Sequence, residues 1–84
     1  RDAPQSLLSL HPVPSSDYRV VLGAAIRKQR KRLRLSQEQL SEKADLHPNY
    51  VGRVERGEEH VSLIALRRIA KALGVRVRVL VWKV

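Results

Sequence analysis

A chain of 84 residues without cysteine has room for one small domain and excludes a disulfide framework or a thiolate metal site. Seventeen Lys and Arg against eight Asp and Glu leave a formal net charge of +9, which points to a polyanionic partner, either nucleic acid or an anionic membrane surface. No apolar run approaches the roughly 18 residues of a spanning helix, and no signal-peptide pattern opens the chain, so a membrane role is disfavoured and a cytoplasmic location is expected.

The chain divides into residues 1–17, 18–74 and 75–84. Three of the four prolines and Ser6, Ser9, Ser15 and Ser16 fall in the first stretch, which reads as an irregular leader. The start at Arg1 rather than Met fits a processed chain or a piece of a longer one. A first helix is expected from about Tyr18 to Arg34, capped by Asp17 or Ser16. Leu22, Ile26 and Leu33 share a face with Ala25 beside them, and Arg30 lies on that same apolar stripe, where a charge needs a partner. Six of the eight residues from Arg27 to Arg34 are basic, and positive charge suits a helix C-terminus. That run reads either as a solvated face or as a phosphate-facing patch.

Ser36 caps a second helix, and Gln39 three residues later completes a capping-box pattern. Leu40 and Ala44 point inward, Asp45 falls in a tight turn where Asp tolerates the left-handed conformation, and Leu46 anchors that turn. A third helix opens at His47 and Pro48, since the N–H that proline lacks would be unpaired in a first turn anyway. Val51 and Val54 pack inward beside Tyr50, while Asn49, Gly52, Arg53 and Arg56 form the other face and Gly57 ends the helix. Gly within a helix costs about 1 kcal/mol relative to Ala, so Gly52 implies a close approach on its side. Ser62 caps a fourth helix to Leu73, with Leu66, Ile69, Ala70 and Leu73 at i, i+3, i+4, i+7 and Gly74 beyond.

The period then changes. Val75, Val77, Val79 and Val81 alternate with Arg76, Arg78, Leu80 and Trp82, a period of two in strand-favouring residues. A strand there needs a partner, and pairing with the same strand of a second copy is the economical solution. A fifth helix, or pairing with the leader around Leu7 to Leu10, are the rivals.

Two short helices joined by a tight turn, with a small, polar and basic outer face on the second, form a rigid unit able to enter the DNA major groove. On LSQEQLSEKA, NYVGRVERG and SLIALRRIAKALGV, covering about Leu22 to Val75, the chain resembles the lambda repressor/Cro-like, or XRE, helix-turn-helix family. The resemblance implies an all-α domain of four to five helices, here followed by a C-terminal strand in place of the short fifth helix common in the family. It further implies that Pro48, Asn49, Gly52 and Arg53 lie at the base edges and that Ser36, Gln37 and Arg56 lie at phosphates. Arg30 matches a first-helix Arg that pairs with the Glu closing the third helix, here Glu55. Three departures stand out: Asp45 replaces the usual turn Gly, Pro48 offers no polar contact, and Glu58 and Glu59 lie near the expected phosphate path.

The expected function is a homodimeric, sequence-specific regulator binding an inverted repeat in double-stranded DNA, with dimerisation through Val75, Val77, Val79 and Val81. The alternative is an antitoxin-type or other interaction subunit whose terminal strand adds to a partner protein's sheet edge. Three aromatic residues, Tyr18, Tyr50 and Trp82, are too few for an RNA base-stacking platform. Neither an enzyme nor a cofactor or metal is expected: His11, His47 and His60 lack ligand spacing, and Glu58-Glu59 reads as a solvated loop. No Gly-rich phosphate loop or nucleophile motif occurs.

Overall fold

The computed structural model describes residues 17–84 as five helices. They are α1 (Tyr18–Arg32), α2 (Gln37–Lys43), α3 (Tyr50–Glu55), α4 (Leu63–Leu73) and α5 (Val77–Val81). The expected leader, apart from Asp17, and its suggested pairing through Leu7 to Leu10 lie outside the described residues.

The starts are set by side-chain oxygens that satisfy otherwise orphaned N–H groups. Asp17 Oδ1 accepts the Arg19 N–H at 2.9 Å, and Ser62 Oγ accepts that of Ala65 at 3.0 Å. At α2 the capping box is complete: Ser36 Oγ accepts the Gln39 N–H at 2.9 Å and Gln39 Oε1 accepts the Ser36 N–H at 2.7 Å. The Arg19 side chain also donates to Asp17, and these bonds hold the Asp17 carboxyl down at about 2.

The first four helices all end in one way. A residue at or just after each C-cap adopts a left-handed conformation: Arg34 (φ 60), Asp45 (φ 59), Gly57 (φ 75) and the α4 cap itself, Gly74 (φ 72). The next N–H then returns to a carbonyl of the last turn, as Leu35 does to Arg30 (3.2 Å), Leu46 to Ser41 (2.8 Å), Glu58 to Arg53 (2.9 Å) and Val75 to Ala70 (3.0 Å). This is the Schellman closure, whose returning residue usually makes an apolar contact. Leu35, Leu46 and Val75 do pack against the core. At α3 the returning residue is Glu58, and the closure points polar groups outward.

Every helix contributes to one core. Ile26 of α1, Leu40 of α2, Val51 and Val54 of α3, Ile69 of α4 and Leu80 of α5 are almost wholly excluded from solvent. Burying one such side chain contributes about 1.5–3 kcal/mol. α1 packs directly on the backbone of α3: a Cβ on Gly23 would overlap the Val54 carbonyl oxygen and meet Glu55 Cα at 3.0 Å. No larger residue fits at Gly23 without moving one helix.

Three expectations are corrected. The C-terminal segment is a helix, so the strand and its pairing across a dimer, or with a partner's sheet, fall. Val77, Leu80 and Val81 stand at i, i+3 and i+4, and this stripe packs on α1 and α4 with Val75 beside it. A helix satisfies its own backbone, whereas a strand here has no partner strand among the described residues. The third helix also begins later than expected, at Tyr50, with His47 and Pro48 in the turn before it. Leu33 is 38% exposed at the α1 C-cap rather than in the core.

Candidate nucleic-acid interface

α2 and α3 are held together by a cap that crosses the turn. Asn49 precedes α3 but makes no side-chain capping bond. Instead Ser41 Oγ of α2, fully buried, accepts the Val51 N–H at 3.1 Å. A six-residue helix has little stability alone, so this bond and the burial of Val51 and Val54 fix α3 on α2. The exposed Asn49 side chain is left without structural duty.

Ser36, Gln37, Pro48, Asn49, Gly52, Arg53 and Arg56 line one shallow depression between α2 and α3, joined by Glu38. The structure thus brings together the seven residues named from the sequence as base or phosphate contacts. Gly52 forms its floor and is buried: a Cβ there would lie 3.0 Å from Gln37 Oε1 and 3.2 Å from Arg56 Nη1. The side chains of Gln37 and Arg56 therefore rest across the glycine, so the close approach expected at Gly52 is made by the protein's own side chains rather than at a base edge. Glu38, unremarked in the sequence, sits in the first turn of α2, where a negative charge suits the helix dipole.

Below the depression lies a buried ion pair. Arg30 Nε donates to Glu55 Oε2 at 2.6 Å and Nη2 to Oε1 at 2.9 Å, while Nη1 donates to the Leu35 carbonyl at 2.7 Å. Gln37 Nε2 adds a bond to Glu55 Oε1 at 3.0 Å, and Arg27 Nη1 stands 3.8 Å from the same oxygen. The Arg30 and Glu55 side chains retain only 8% and 2% of their exposure. Burial opposes ionisation of Glu55, yet the Arg30 and Gln37 hydrogen bonds, with the Arg30 and Arg27 charges, hold its carboxyl below the usual value. Burial likewise opposes the Arg30 charge, and the larger effect of Glu55 keeps it raised. This pair ties α1 to α3 and, through Gln37, to the start of α2.

Both outer-face arginines of α3 are also paired. Arg53 Nε donates to Glu59 Oε2 at 2.7 Å, and its guanidinium carbon stands 5.8 Å from the Tyr50 ring centroid. Arg56 donates through Nε (3.0 Å) and Nη2 (3.3 Å) to Glu58. Burial and the Glu59 charge push the Tyr50 hydroxyl up, with Arg53 partly offsetting them. Arg27, Lys28, Lys31 and Arg32 on α1, and Arg34 just beyond its end, are exposed. His60 meets the Tyr18 hydroxyl at 2.6 Å through Nδ1, fastening the loop after α3 to the start of α1. Sequence reading passed over Gly23, Ser41, Glu38 and the Tyr18–His60 contact.

Among the described residues no three His, Cys, Asp or Glu side chains cluster as metal ligands, and no helix is long and apolar enough to cross a membrane.

Comparison with known proteins agrees with this geometry. A helix-turn-helix family model matches residues 26–80. The chain is 38% identical over 63 residues to the control protein C.BamHI of Bacillus amyloliquefaciens, covering 74% of this chain and 78% of that one. It is 44% identical over 61 residues to the control protein C.SmaI of Serratia marcescens, covering 73% of each. The crystal structure of the restriction-modification controller protein C.AhdI from Aeromonas hydrophila superposes with a TM-score of 0.72 at 40% identity, over 74% of this chain and 94% of that one. With its turn, buried ion pair and exposed α3 face, the chain belongs to the XRE-type helix-turn-helix family of DNA-binding transcriptional regulators.

Proposed function

We propose that the protein binds double-stranded DNA sequence-specifically as a homodimer on an inverted repeat, with α3 in the major groove. The observation that carries this reading is the convergence of Asn49, Arg53, Gln37 and Arg56 on one surface formed by two rigidly joined helices. Asn49 and Arg53 read base edges, since Asn suits adenine and Arg suits guanine, each through two coplanar hydrogen bonds. Pro48 allows close approach, while Gly52 makes room for the Gln37 and Arg56 side chains that cross it. Ser36, Gln37 and Arg56 face phosphates, and the basic end of α1 adds affinity independent of sequence. Such a role would be carried out in the cytoplasm.

A second copy is needed to read two half-sites. Support comes from the surface between α1 and α5, where Val20 and Trp82 remain 52% and 72% exposed near Val79. The control-protein relatives favour a regulatory role of the same kind for this chain.

Selection of bound duplexes from a random pool at near-physiological salt tests the reading. Enrichment of an inverted repeat with half-site centres about one helical turn apart is the expected result. Arg53→Ala is expected to cost about 1–3 kcal/mol on the selected site and to relax the preference at one base pair. Salt-sensitive binding without enrichment, or equal losses on every sequence, would refute it.

A further inference from the structure

Glu58 and Glu59 place two carboxylates beside a surface proposed to meet phosphates, and both are engaged by arginines. Their positions follow from the closure of α3. Gly57, at φ 75, turns the chain back, and the Glu58 N–H returns to the Arg53 carbonyl at 2.9 Å. The following residue, Glu59, is thereby laid beside the Arg53 side chain.

The two pairs differ in what they leave free. Glu58 takes the Nε and Nη2 donors of Arg56, occupying one whole edge of the guanidinium in an exposed pair. Glu59 takes only Nε of Arg53, and among the described residues Nη1 and Nη2 of Arg53 make no hydrogen bond. Those two nitrogens form the end-on edge that matches guanine O6 and N7. Tyr50 flanks the same guanidinium at 5.8 Å, so Arg53 is held from two sides with its reading edge open. Without that hold, a long cationic side chain rotates freely and reaches phosphates as readily as bases.

We infer that Glu59 is a positioning residue for base choice, orienting Arg53 toward guanine and denying it to the phosphate backbone. The carboxylate lowers general affinity for DNA and raises discrimination. This inference rests on the proposed base-reading role of Arg53.

The test is equilibrium binding of the full chain, at one salt concentration, to three duplexes. They are the selected site, that site with the guanine pair replaced, and a random sequence. The proteins are wild type, Glu59→Ala, Glu59→Gln, Arg53→Ala and the Arg53→Ala/Glu59→Ala double variant. Glu59 is partly exposed, and thermal melts verify that each variant is folded. Glu59→Ala is expected to bind the random duplex more tightly while losing roughly three- to tenfold in discrimination at the guanine pair. Glu59→Gln keeps an acceptor for Nε and is expected to fall between Glu59→Ala and wild type. In the Arg53→Ala background, removing Glu59 is expected to leave discrimination unchanged, which a merely structural role would not produce. Equal tightening on all three duplexes, with the ratio preserved, would overturn the inference and leave Glu59 as a repulsive charge only. An Arg53→Ala variant with undiminished discrimination would instead show that the base-reading role itself has failed.

Discussion

Replacing Glu55 by Ala probes the ion pair beneath the DNA-facing depression. The carboxylate is 2% exposed and accepts two hydrogen bonds from Arg30 and one from Gln37. Its removal strands a guanidinium that is itself 8% exposed. Breaking a buried pair from one side costs about 3–5 kcal/mol, because the remaining charge stays desolvated. A domain of 84 residues has about 4–13 kcal/mol in total, so the loss is between about a quarter and all of its stability. Urea titration followed by far-UV circular dichroism measures the loss. With a slope near 1 kcal/mol/M for so small a chain, the midpoint falls by about 3 M or more. An Arg30→Met/Glu55→Leu double variant separates the penalty of a stranded charge from the worth of the pair. It is expected to recover most of the loss, short by about 1 kcal/mol for the Leu35 carbonyl that Arg30 now satisfies. A single-variant loss below about 1 kcal/mol, the range of an exposed pair, would refute the reasoning. So would a double variant no more stable than Glu55→Ala.

Ser41→Ala removes the cap across the turn and is expected to destabilise by about 1–2 kcal/mol in the same titration; an unchanged midpoint would mean that the Val51 N–H needs no partner. Arg34→Gly relieves a bulky left-handed residue and is expected to add about 1 kcal/mol, raising the melting temperature by about 4–8 °C. Asp45→Gly should gain less, since Asp tolerates that conformation, and a lower melting temperature for Arg34→Gly would contradict the strain argument. The pH dependence follows from Glu55, whose folded pKa lies below its ordinary 4.5. Its contribution is fully present above that ordinary value and is lost as pH falls through the lower folded pKa. Melting temperatures measured from pH 7 to pH 3 should therefore drop below about pH 4.5 in wild type, and more shallowly in the double variant; parallel curves would exclude Glu55 as the cause.

Local chemistry made most of the architecture legible. Asp17, Ser36 with Gln39, and Ser62 announced three helix starts, and Gly57 and Gly74 announced two ends, because each acts on its own neighbours. The spacing of Leu66, Ile69, Ala70 and Leu73 gave the face of α4. The C-terminal segment misled because five residues cannot separate the two periods. Val77, Val79 and Val81 alternate as in a strand, while Val77, Leu80 and Val81 also make a helical stripe. The choice was made by α1 and α4, which offer Leu80 a place with 1% exposure. The residues around the site and the Arg30–Glu55 pair were legible from the family pattern, but the other contacts among them were not. That Glu59 meets Arg53, that Ser41 meets Val51 and that Gly23 admits the α3 backbone are properties of the assembled helices. The sequence showed Glu58 and Glu59 only as a conflict with phosphate, and the turn at Gly57 resolves how that conflict is arranged.

The cap supplied by Ser41 rather than Asn49 has an evolutionary consequence. In many helices the residue before the first turn is constrained by its own fold, and changing it weakens the domain. Here that constraint has been moved inside the protein, to a serine that no partner can touch. Position 49 is free to drift among side chains at little cost in stability, so one scaffold can acquire new targets by single steps that selection for folding does not oppose.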